Sequence, residues 1–158
     1  MSEALSPAAE RVQELLRAAG SEARVRQLPL TARTAAEAAA AIGCTVAQIA
    51  KSLVFKTSSG KPVLVIASGV NRVDEAKIAA ALGEPIGKAD ASFVRDTTGY
   101  AIGGVAPIGH ATPPRIFIDR DLRQHAILWA AAGHPHAVFP VSPAELERLT
   151  HGTVIEAK

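Results

Sequence analysis

Lys51 is the first residue whose type and surroundings could do chemistry. It stands in Lys51-Ser52-Leu53-Val54-Phe55, where the two-residue period of a strand puts Lys51 on the side of Leu53 and Phe55. Such a lysine either meets an anion or polarises a carbonyl at the mouth of a cavity, or extends past the strand end into water. Residue type alone favours the second alternative. A P-loop is excluded, because no glycine immediately precedes Lys51-Ser52.

The second candidate is the glycine-rich segment 98–110. Glycines relax its backbone and Pro107 stiffens it, so the successive N–H groups of Gly104, Val105 and Ala106 could converge on one oxygen. Such a nest would stabilise an oxyanion. The alternative is a hairpin in which Gly103-Gly104 is the two-residue turn, and the pattern alone favours this hairpin.

Histidine, cysteine and aspartate give weaker signals. His134 and His136 alternate as in some metal sites, but Pro135 interrupts a regular strand and no third ligand stands at metal-like spacing. We therefore predict no metal. Cys44 is interpreted as a small buried residue rather than a nucleophile, and residues 119–121 as a solvated turn. The spacing shows no Ser-His-Asp triad or carboxylate pair.

Length and composition bound the class of protein. A chain of 158 residues predicts one domain over 1–158, and 48% hydrophobic with 20% charged residues is typical of a globular core. The net charge of +2 excludes an affinity dominated by wrapping a long phosphate backbone, so no DNA partner is expected. Aromatic residues make up 4% of the chain, which argues against base-stacking platforms.

The compartment is predicted from what the sequence contains. Cys44 is the single cysteine, and the first residues carry Glu3 and Glu10 rather than the basic and apolar runs of a signal peptide. The longest apolar run is far below the roughly 18 residues of a membrane span. We expect a cytoplasmic protein with no membrane partner.

Helix and strand signals alternate along the chain. Helices are predicted to begin at the caps Ser6, Thr34, Asp74, Asp90 and Ser142, and to end at Gly20, Gly43, Gly83, Gly99 and Gly152. A second capping box at Thr45 predicts a turn that lasts to about Lys51. Strands are predicted over 25–28, 63–67, 115–119, 127–131, 138–139 and 153–156. Residues 52–55 are β-prone, and 55–63 are predicted to form a hairpin whose turn is 58–61. Because 63–67 is apolar on both faces, it must be covered on both sides. We expect a mixed α/β (α+β) domain, a barrel-like mixed sheet surrounded by helices.

Three segments, in this order and spacing, resemble the YbaK/EbsC family of aminoacyl-tRNA deacylases. These proteins are free-standing relatives of the editing domain inserted in bacterial prolyl-tRNA synthetase, and the resemblance covers roughly residues 7–157. The segments are Ile49-Ala50-Lys51-Ser52-Leu53-Val54-Phe55, Asn71-Arg72-Val73-Asp74 and Thr98-Gly99-Tyr100-Ala101-Ile102-Gly103-Gly104-Val105-Ala106-Pro107-Ile108-Gly109.

The resemblance implies hydrolysis of the ester that joins a wrong amino acid to the 3′-terminal adenosine of a tRNA. It implies that Lys51 holds the terminal nucleotide or the ester, that the loop from Gly103 to Pro107 offers N–H groups to the carbonyl, and that no cofactor takes part. With no protein base in the pattern, substrate hydroxyl groups would position the attacking water. The catalytic assignments are Lys51, Gly103, Gly104, Val105, Ala106 and Pro107, and the substrate-binding assignments are Ser52, Arg72, Asp74, Tyr100 and His136.

Two positions limit the transfer from the family. Ala106 stands where many relatives carry serine, and Ser52 stands at a variable position that helps to set which amino acid enters. Alanine, serine, threonine and cysteine are all candidate products. The predicted partner is the acceptor end of aminoacyl-tRNA, gripped by a basic patch of Lys51, Arg72 and Lys77. Two alternatives stay open: a non-catalytic module that binds an aminoacyl-adenylate or a tRNA end, and an accessory protein of prolyl-tRNA synthetase.

Overall fold

Five α-helices and eight strands alternate along residues 5–32 and 34–158, the part of the chain that the computed structural model describes. The helices are α1 (Pro7–Ala18), α2 (Ala35–Ile42), α3 (Glu75–Leu82), α4 (Ala91–Thr98) and α5 (Pro143–Thr150). The strands are β1 (Arg26–Gln27), β2 (Ile49–Thr57), β3 (Pro62–Ser68), β4 (Ile86–Lys88), β5 (Arg115–Asp119), β6 (Leu128–Ala131), β7 (Ala137–Val141) and β8 (Thr153–Ile155). Short 3₁₀ helices cover Val46–Gln48 and Arg120–Gln124. None of the described helices is long and apolar enough to cross a membrane.

The predicted caps explain where the helices begin. At each of the five predicted positions a side-chain oxygen accepts a hydrogen bond from a main-chain N–H of the first helical turn, which satisfies a donor that the helix itself leaves unpaired. These caps are Ser6, Thr34, Asp74, Asp90 and Ser142. The predicted ends of α2, α3 and α4 are confirmed too, but α5 ends on His151 in the left-handed conformation, one residue before Gly152.

The strands form one mixed sheet in the order β1-β7-β6-β2-β3-β5-β8, with β4 also paired to β2. Strands β2 and β3 form the antiparallel hairpin that the sequence predicts, while β5 lies parallel to β3, and β6 parallel to β2. Every residue of β3 is buried, as its apolar pattern on both faces requires. The expected mixed α/β domain is confirmed.

Three details differ from the predicted elements. Strand β2 begins at Ile49, so the 3₁₀ turn ends at Gln48 rather than near Lys51, and Lys51 lies inside the strand. Strand β4 has only three residues and was not predicted, because so short a run carries no periodicity. Strand β1 keeps two of the four residues predicted for it.

One edge of β2 is split between two partners. Strand β6 pairs there only with Ile49 and Ala50, and β4 pairs only with residues 55–57. On the other edge, the Gly69 N–H donates to the Ile49 carbonyl at 2.8 Å and the Thr57 N–H donates to the Lys61 carbonyl at 2.9 Å. Antiparallel ladders alternate, so the main-chain groups of Ser52 and Val54 are directed toward the split edge. No strand among the described residues pairs with them there.

Helices cover both faces of the sheet. On one face, Leu64 and Ile66 of β3 pack in a core that also contains Val12 and Leu16 of α1 and Leu146 of α5. On the other face the core residues are Val63 and Val65 of β3, Phe117 of β5 and Ile78 of α3. Helix α2 packs on a third, smaller cluster of Leu28, Ala32 and Val138. Both faces of β3 are therefore covered by helices.

We expect Leu64→Ala to lower the free energy of unfolding by about 2–5 kcal/mol, because the leucine side chain is 1% exposed and its removal leaves a cavity in the core. Chemical denaturation measures the change. Leu30→Ala is the matched control: this leucine is 69% exposed, so the same substitution should cost less than about 0.5 kcal/mol. Equal losses for the two variants would contradict the packing described here.

Candidate active site

A cavity of about 460 Å³ opens at the split edge of β2. This volume lies in the range of small-molecule sites. Its walls come from β2, the segment around the start of α2, a loop after α4, and the start of β7. The lining includes residues 49–55, Ala32, Thr34, Ala35, Ala38, Lys88, Ala89, Val94, Ile102, Gly103, Val105, Ala131, Pro135, Ala137 and Val138.

Lys51 lines this cavity, and its ammonium group is anchored. The side chain is half-buried, and Nζ donates a hydrogen bond of 2.7 Å to the main-chain carbonyl of Asn71. Burial lowers the pKa of Lys51 below its ordinary value, and the negative charge of Asp119 partly opposes that shift. The structure therefore favours the cavity-mouth alternative over a lysine that extends freely into water.

Asn71, whose carbonyl accepts the hydrogen bond from Lys51, belongs to a buried polar network. The side-chain amide of Asn71 donates to Asp119 Oδ2 at 2.8 Å and to Asp121 Oδ2 at 2.9 Å, and the Ser68 N–H donates to the same Asp119 oxygen at 3.1 Å. Asp119 is 1% exposed, so the prediction that 119–121 form a solvated turn is wrong at this residue. The parallel pairing of β5 with β3 brings Asp119 beside Ser68, and this non-local pairing was not predicted.

Ser52 is among the residues that line the cavity, and its hydroxyl is buried and unsatisfied. Its Oγ is buried and has no hydrogen-bond partner among the described residues. A buried hydroxyl without a partner costs about 1–3 kcal/mol, so such groups are rare outside functional sites. The hydroxyl is therefore a candidate contact for a polar ligand group.

The glycine-rich loop forms the opposite wall. The Gly104 N–H donates to the Ala101 carbonyl at 3.0 Å, and Gly103 has a φ of +87°, which together describe a type II turn with Ile102 and Gly103 at its centre. No strand flanks this turn in the described residues, so the hairpin prediction is wrong. Because the Gly104 N–H is used inside the turn, Val105 and Ala106 supply the donors that the predicted nest would need.

Gly103 and Val105 reach the cavity, while Gly104, Ala106 and Pro107 are buried behind it. A Cβ on Gly104 would lie 2.8 Å from the His134 carbonyl carbon and 2.9 Å from its Cα. The loop therefore needs glycine at 104 in order to lie against the segment that carries Pro135, on the cavity wall.

Tyr100 holds the loop in shape and does not line the cavity. Its hydroxyl donates to the Ile108 carbonyl at 2.7 Å and accepts from Arg11 Nη1 at 3.3 Å, and Arg11 Nη2 donates to the Gly109 carbonyl at 2.9 Å. His110 Nε2 lies 2.7 Å from the Ala106 carbonyl. Burial raises the pKa of Tyr100 and lowers that of His110, so a neutral imidazole donates to Ala106 near pH 7.

The other predicted substrate-binding residues lie outside the cavity wall. Arg72 is exposed, and Asp74 caps α3 by accepting from the Ala76 N–H at 3.0 Å. His136 adjoins the lining residues Pro135 and Ala137 in the sequence. The ring atom Nδ1 of His136 is buried without a partner among the described residues, and the main-chain N–H of His136 donates to His134 Nδ1 at 3.1 Å.

Three further predictions concern Lys77, a metal and Cys44. Lys77 of the predicted basic patch forms an ion pair with Glu156 at 3.6 Å, on the helix that Asp74 caps. Within the described residues no three His, Cys, Asp or Glu side chains form a group that could hold a metal. Cys44 is half-buried, and burial raises the pKa of its thiol, which disfavours a nucleophilic thiolate.

Comparison with known proteins identifies the family of this fold and cavity. A model described as the aminoacyl-tRNA editing domain matches residues 31–149, and the chain belongs to this family. A solved structure described as "a putative trans-editing enzyme for prolyl tRNA synthetase" superposes with a TM-score of 0.94 at 45% identity, over 98% of this chain and 99% of that one. The resemblance to the YbaK/EbsC deacylases is confirmed.

Two curated relatives are also similar to this chain in sequence. A protein of Enterococcus faecalis named "Putative Cys-tRNA(Pro)/Cys-tRNA(Cys) deacylase EbsC" is 28% identical over 80% of this chain and 76% of its own length. A proline–tRNA ligase of Xanthomonas axonopodis pv. citri is 33% identical over 67% of this chain, a match that spans 19% of the ligase. The likeness to the ligase is therefore confined to a small part of that enzyme.

We expect Gly104→Ala to lower the free energy of unfolding by about 1–3 kcal/mol, because the added methyl group overlaps the His134 main chain and must push two loops apart. Chemical denaturation measures this loss. Gly87→Ala is the control, since a Cβ there meets nothing within 4 Å. If both variants kept wild-type stability, the close approach of the two loops would be refuted.

Proposed function

We propose that this chain is a trans-editing aminoacyl-tRNA deacylase. In the proposed reaction it hydrolyses the ester between a wrongly attached small amino acid and the 3′-terminal adenosine of a tRNA. The observation that carries the proposal is the convergence, in one cavity of a member of this family, of an anchored lysine, an unsatisfied hydroxyl and the glycine-rich loop. The relatives named as deacylase and trans-editing enzyme support hydrolysis as the activity.

The ester bond is cleaved by water in this proposal. A water oxygen attacks the carbonyl carbon, the bond to the ribose oxygen breaks, and that oxygen takes up a proton, which yields free amino acid and uncharged tRNA. The Lys51 ammonium and the N–H groups of Val105 and Ala106 would stabilise the negative charge that develops on the carbonyl oxygen. Only Val105 of these two loop residues lines the cavity, so its N–H is the better placed of the two donors.

Proton transfer would depend on the substrate. The ionisable side chains that line the cavity within the described residues are Lys51 and Lys88, and neither carboxylate nor imidazole is among the lining groups. A lysine that stays cationic cannot take a proton from water. The family resemblance implies that substrate hydroxyl groups position the water, and this cavity suits that mechanism because binding and orientation supply the catalysis.

The volume of the cavity supports selection of a small amino acid. The cavity of about 460 Å³, whose lining includes seven alanines and one glycine, would have to hold the terminal ribose as well as the amino acid, which limits the room for the amino-acid side chain. Steric exclusion of larger side chains is easier than rejection of smaller ones. Among small amino acids, Ser52 offers a hydroxyl that can bond to the polar side chains of serine, threonine or cysteine.

The proposed partner is the acceptor end of a mischarged tRNA, presented in trans. Prolyl-tRNA synthetase is the candidate source of that tRNA, because relatives include proline–tRNA ligases and a structure described as trans-editing for prolyl-tRNA synthetase. A module that binds the tRNA end without hydrolysis, or an accessory protein that acts only beside the synthetase, is an outcome that the following test separates.

We expect wild-type protein to release amino acid from tRNA mischarged with alanine, serine, threonine or cysteine, and Lys51→Ala to reduce the rate at least about 10²-fold, since it removes a preorganised charge. Release of radiolabelled amino acid measures both. Lys56→Ala is the matched control, because Lys56 is exposed on the same strand outside the cavity.

Binding of mischarged tRNA without release would instead indicate the binding module. Release that requires added prolyl-tRNA synthetase would indicate the accessory protein. Release by Lys51→Ala at the wild-type rate would contradict the assigned site.

Ser52→Ala tests selection by the hydroxyl. We expect kcat/KM for the seryl or threonyl ester to fall roughly 5-fold to 100-fold, the loss of a hydrogen bond worth about 1–3 kcal/mol, while the alanyl ester keeps its value within about twofold. Parallel single-substrate kinetics measure the ratio. An equal change for all esters would mean that Ser52 does not discriminate between them.

A further inference from the structure

A buried carboxylate lies behind the amino group that the proposed mechanism uses. Asp119 ends β5, and its Oδ2 accepts from the Ser68 N–H and from the side-chain amide of Asn71. The Asn71 carbonyl accepts from Lys51 Nζ at 2.7 Å. Asn71 therefore links the Asp119 carboxylate to the Lys51 ammonium group. Its side-chain amide donates to the carboxylate, and its main-chain carbonyl accepts from the ammonium group.

Both hydrogens of the Asn71 side-chain amide are hydrogen-bonded. One hydrogen bond goes to Asp119 at 2.8 Å and the other to Asp121 at 2.9 Å, and Asn71 itself is 8% exposed. The neighbours on either side, Val70 and Arg72, are exposed. The Asn71 side chain thus fixes an otherwise exposed segment, and with it the carbonyl that sets the position of Lys51 Nζ.

The charge of Asp119 also acts on Lys51. No lysine, arginine or histidine within the described residues forms an ion pair with Asp119 within 4.0 Å, whereas Asp121 pairs with Lys158 at 3.1 Å. The other charged groups around Lys51 are Lys88 on the cavity wall and Arg72 beside Asn71. Burial lowers the pKa of Lys51, and Asp119 is the charged group that raises it.

Asp119 has one purely structural task as well. Its Oδ1 accepts from the Asp121 N–H at 3.0 Å and so caps the 3₁₀ helix Arg120–Gln124. Asparagine caps helices about as well as aspartate does. Asp119→Asn can keep this cap through its remaining oxygen, but its amide nitrogen then faces the Asn71 amide and the Ser68 N–H, so the variant removes the negative charge and the acceptor for Asn71 together.

We infer that Asp119 is a positioning residue for the reaction: by holding the Asn71 side chain, it fixes the main-chain carbonyl that sets the position of Lys51 Nζ. The catalytic consequence of this inference rests on the proposed function, whereas the hydrogen bonds through Asn71 and the effect of Asp119 on Lys51 do not. The alkaline limb of the pH–rate profile then reports Lys51, because the ammonium form acts below its pKa and is lost above it.

The decisive experiment compares Asp119→Asn with Asp121→Asn in the ligand-free protein and in turnover. Both carboxylates accept from the same amide of Asn71, but only Asp119 bears on the charge state of Lys51. NMR titration of the Lys51 amino group measures its pKa without any substrate. We expect the pKa to fall in Asp119→Asn and to stay at the wild-type value in Asp121→Asn.

In turnover, the alkaline limb should move to lower pH in Asp119→Asn alone, and kcat at neutral pH should fall roughly tenfold to a hundredfold with KM within about threefold. Asn71→Ala should lower kcat similarly, because it releases the carbonyl. Identical Lys51 titrations in wild type and Asp119→Asn would overturn the inference. If the wild-type protein hydrolyses no ester, the proposed function fails, and the NMR titration still decides the role of Asp119.

Discussion

The interrupted hydrogen-bond ladder along β2 is the constraint on which the rest of the site depends. A strand in the middle of a sheet normally satisfies both of its edges, yet β2 is paired on one edge only at its two ends. That arrangement needs two separate partners, of which β6 runs parallel and β4 antiparallel to β2. It leaves the middle of the strand, which carries Lys51 and Ser52, open to a ligand while the other edge stays bonded to β3.

Rigidity around the opening comes from β3, which is buried on both faces. Its antiparallel pairing holds β2 in place, and its parallel pairing with β5 brings the carboxyl ends of β3 and β5 together. Ser68 and Asp119 meet at those ends, and the chain leaves β3 toward Asn71 at the same place. One strand therefore supports the wall of the cavity and also builds the polar anchor for its lysine.

Local chemistry allowed the starts of the helices to be predicted, whereas residue type alone favoured a Lys51 that extends into water, and non-local chemistry explains the misses. A cap such as Thr34 or Asp90 acts within one turn, so its signal is complete in the sequence. The hairpin prediction was wrong at Gly103-Gly104 because glycine pairs mark turns of several types, and only the absence of strand partners separates a type II turn in a loop from a hairpin. Asp119 looked solvated because its neighbours are charged, whereas its burial depends on strands from elsewhere in the chain.

The ionisable groups of the cavity wall limit what the protein itself can contribute to the proposed hydrolysis. Its ionisable groups within the described residues are two lysines, so the protein can hold charge and orient an ester but offers no base at the wall. An enzyme built this way gains its rate from the placement of a few donors, and an error of about 1 Å in that placement can cost 10²-fold. Under the proposed function, the polar network that anchors Lys51 therefore matters as much as the lysine itself.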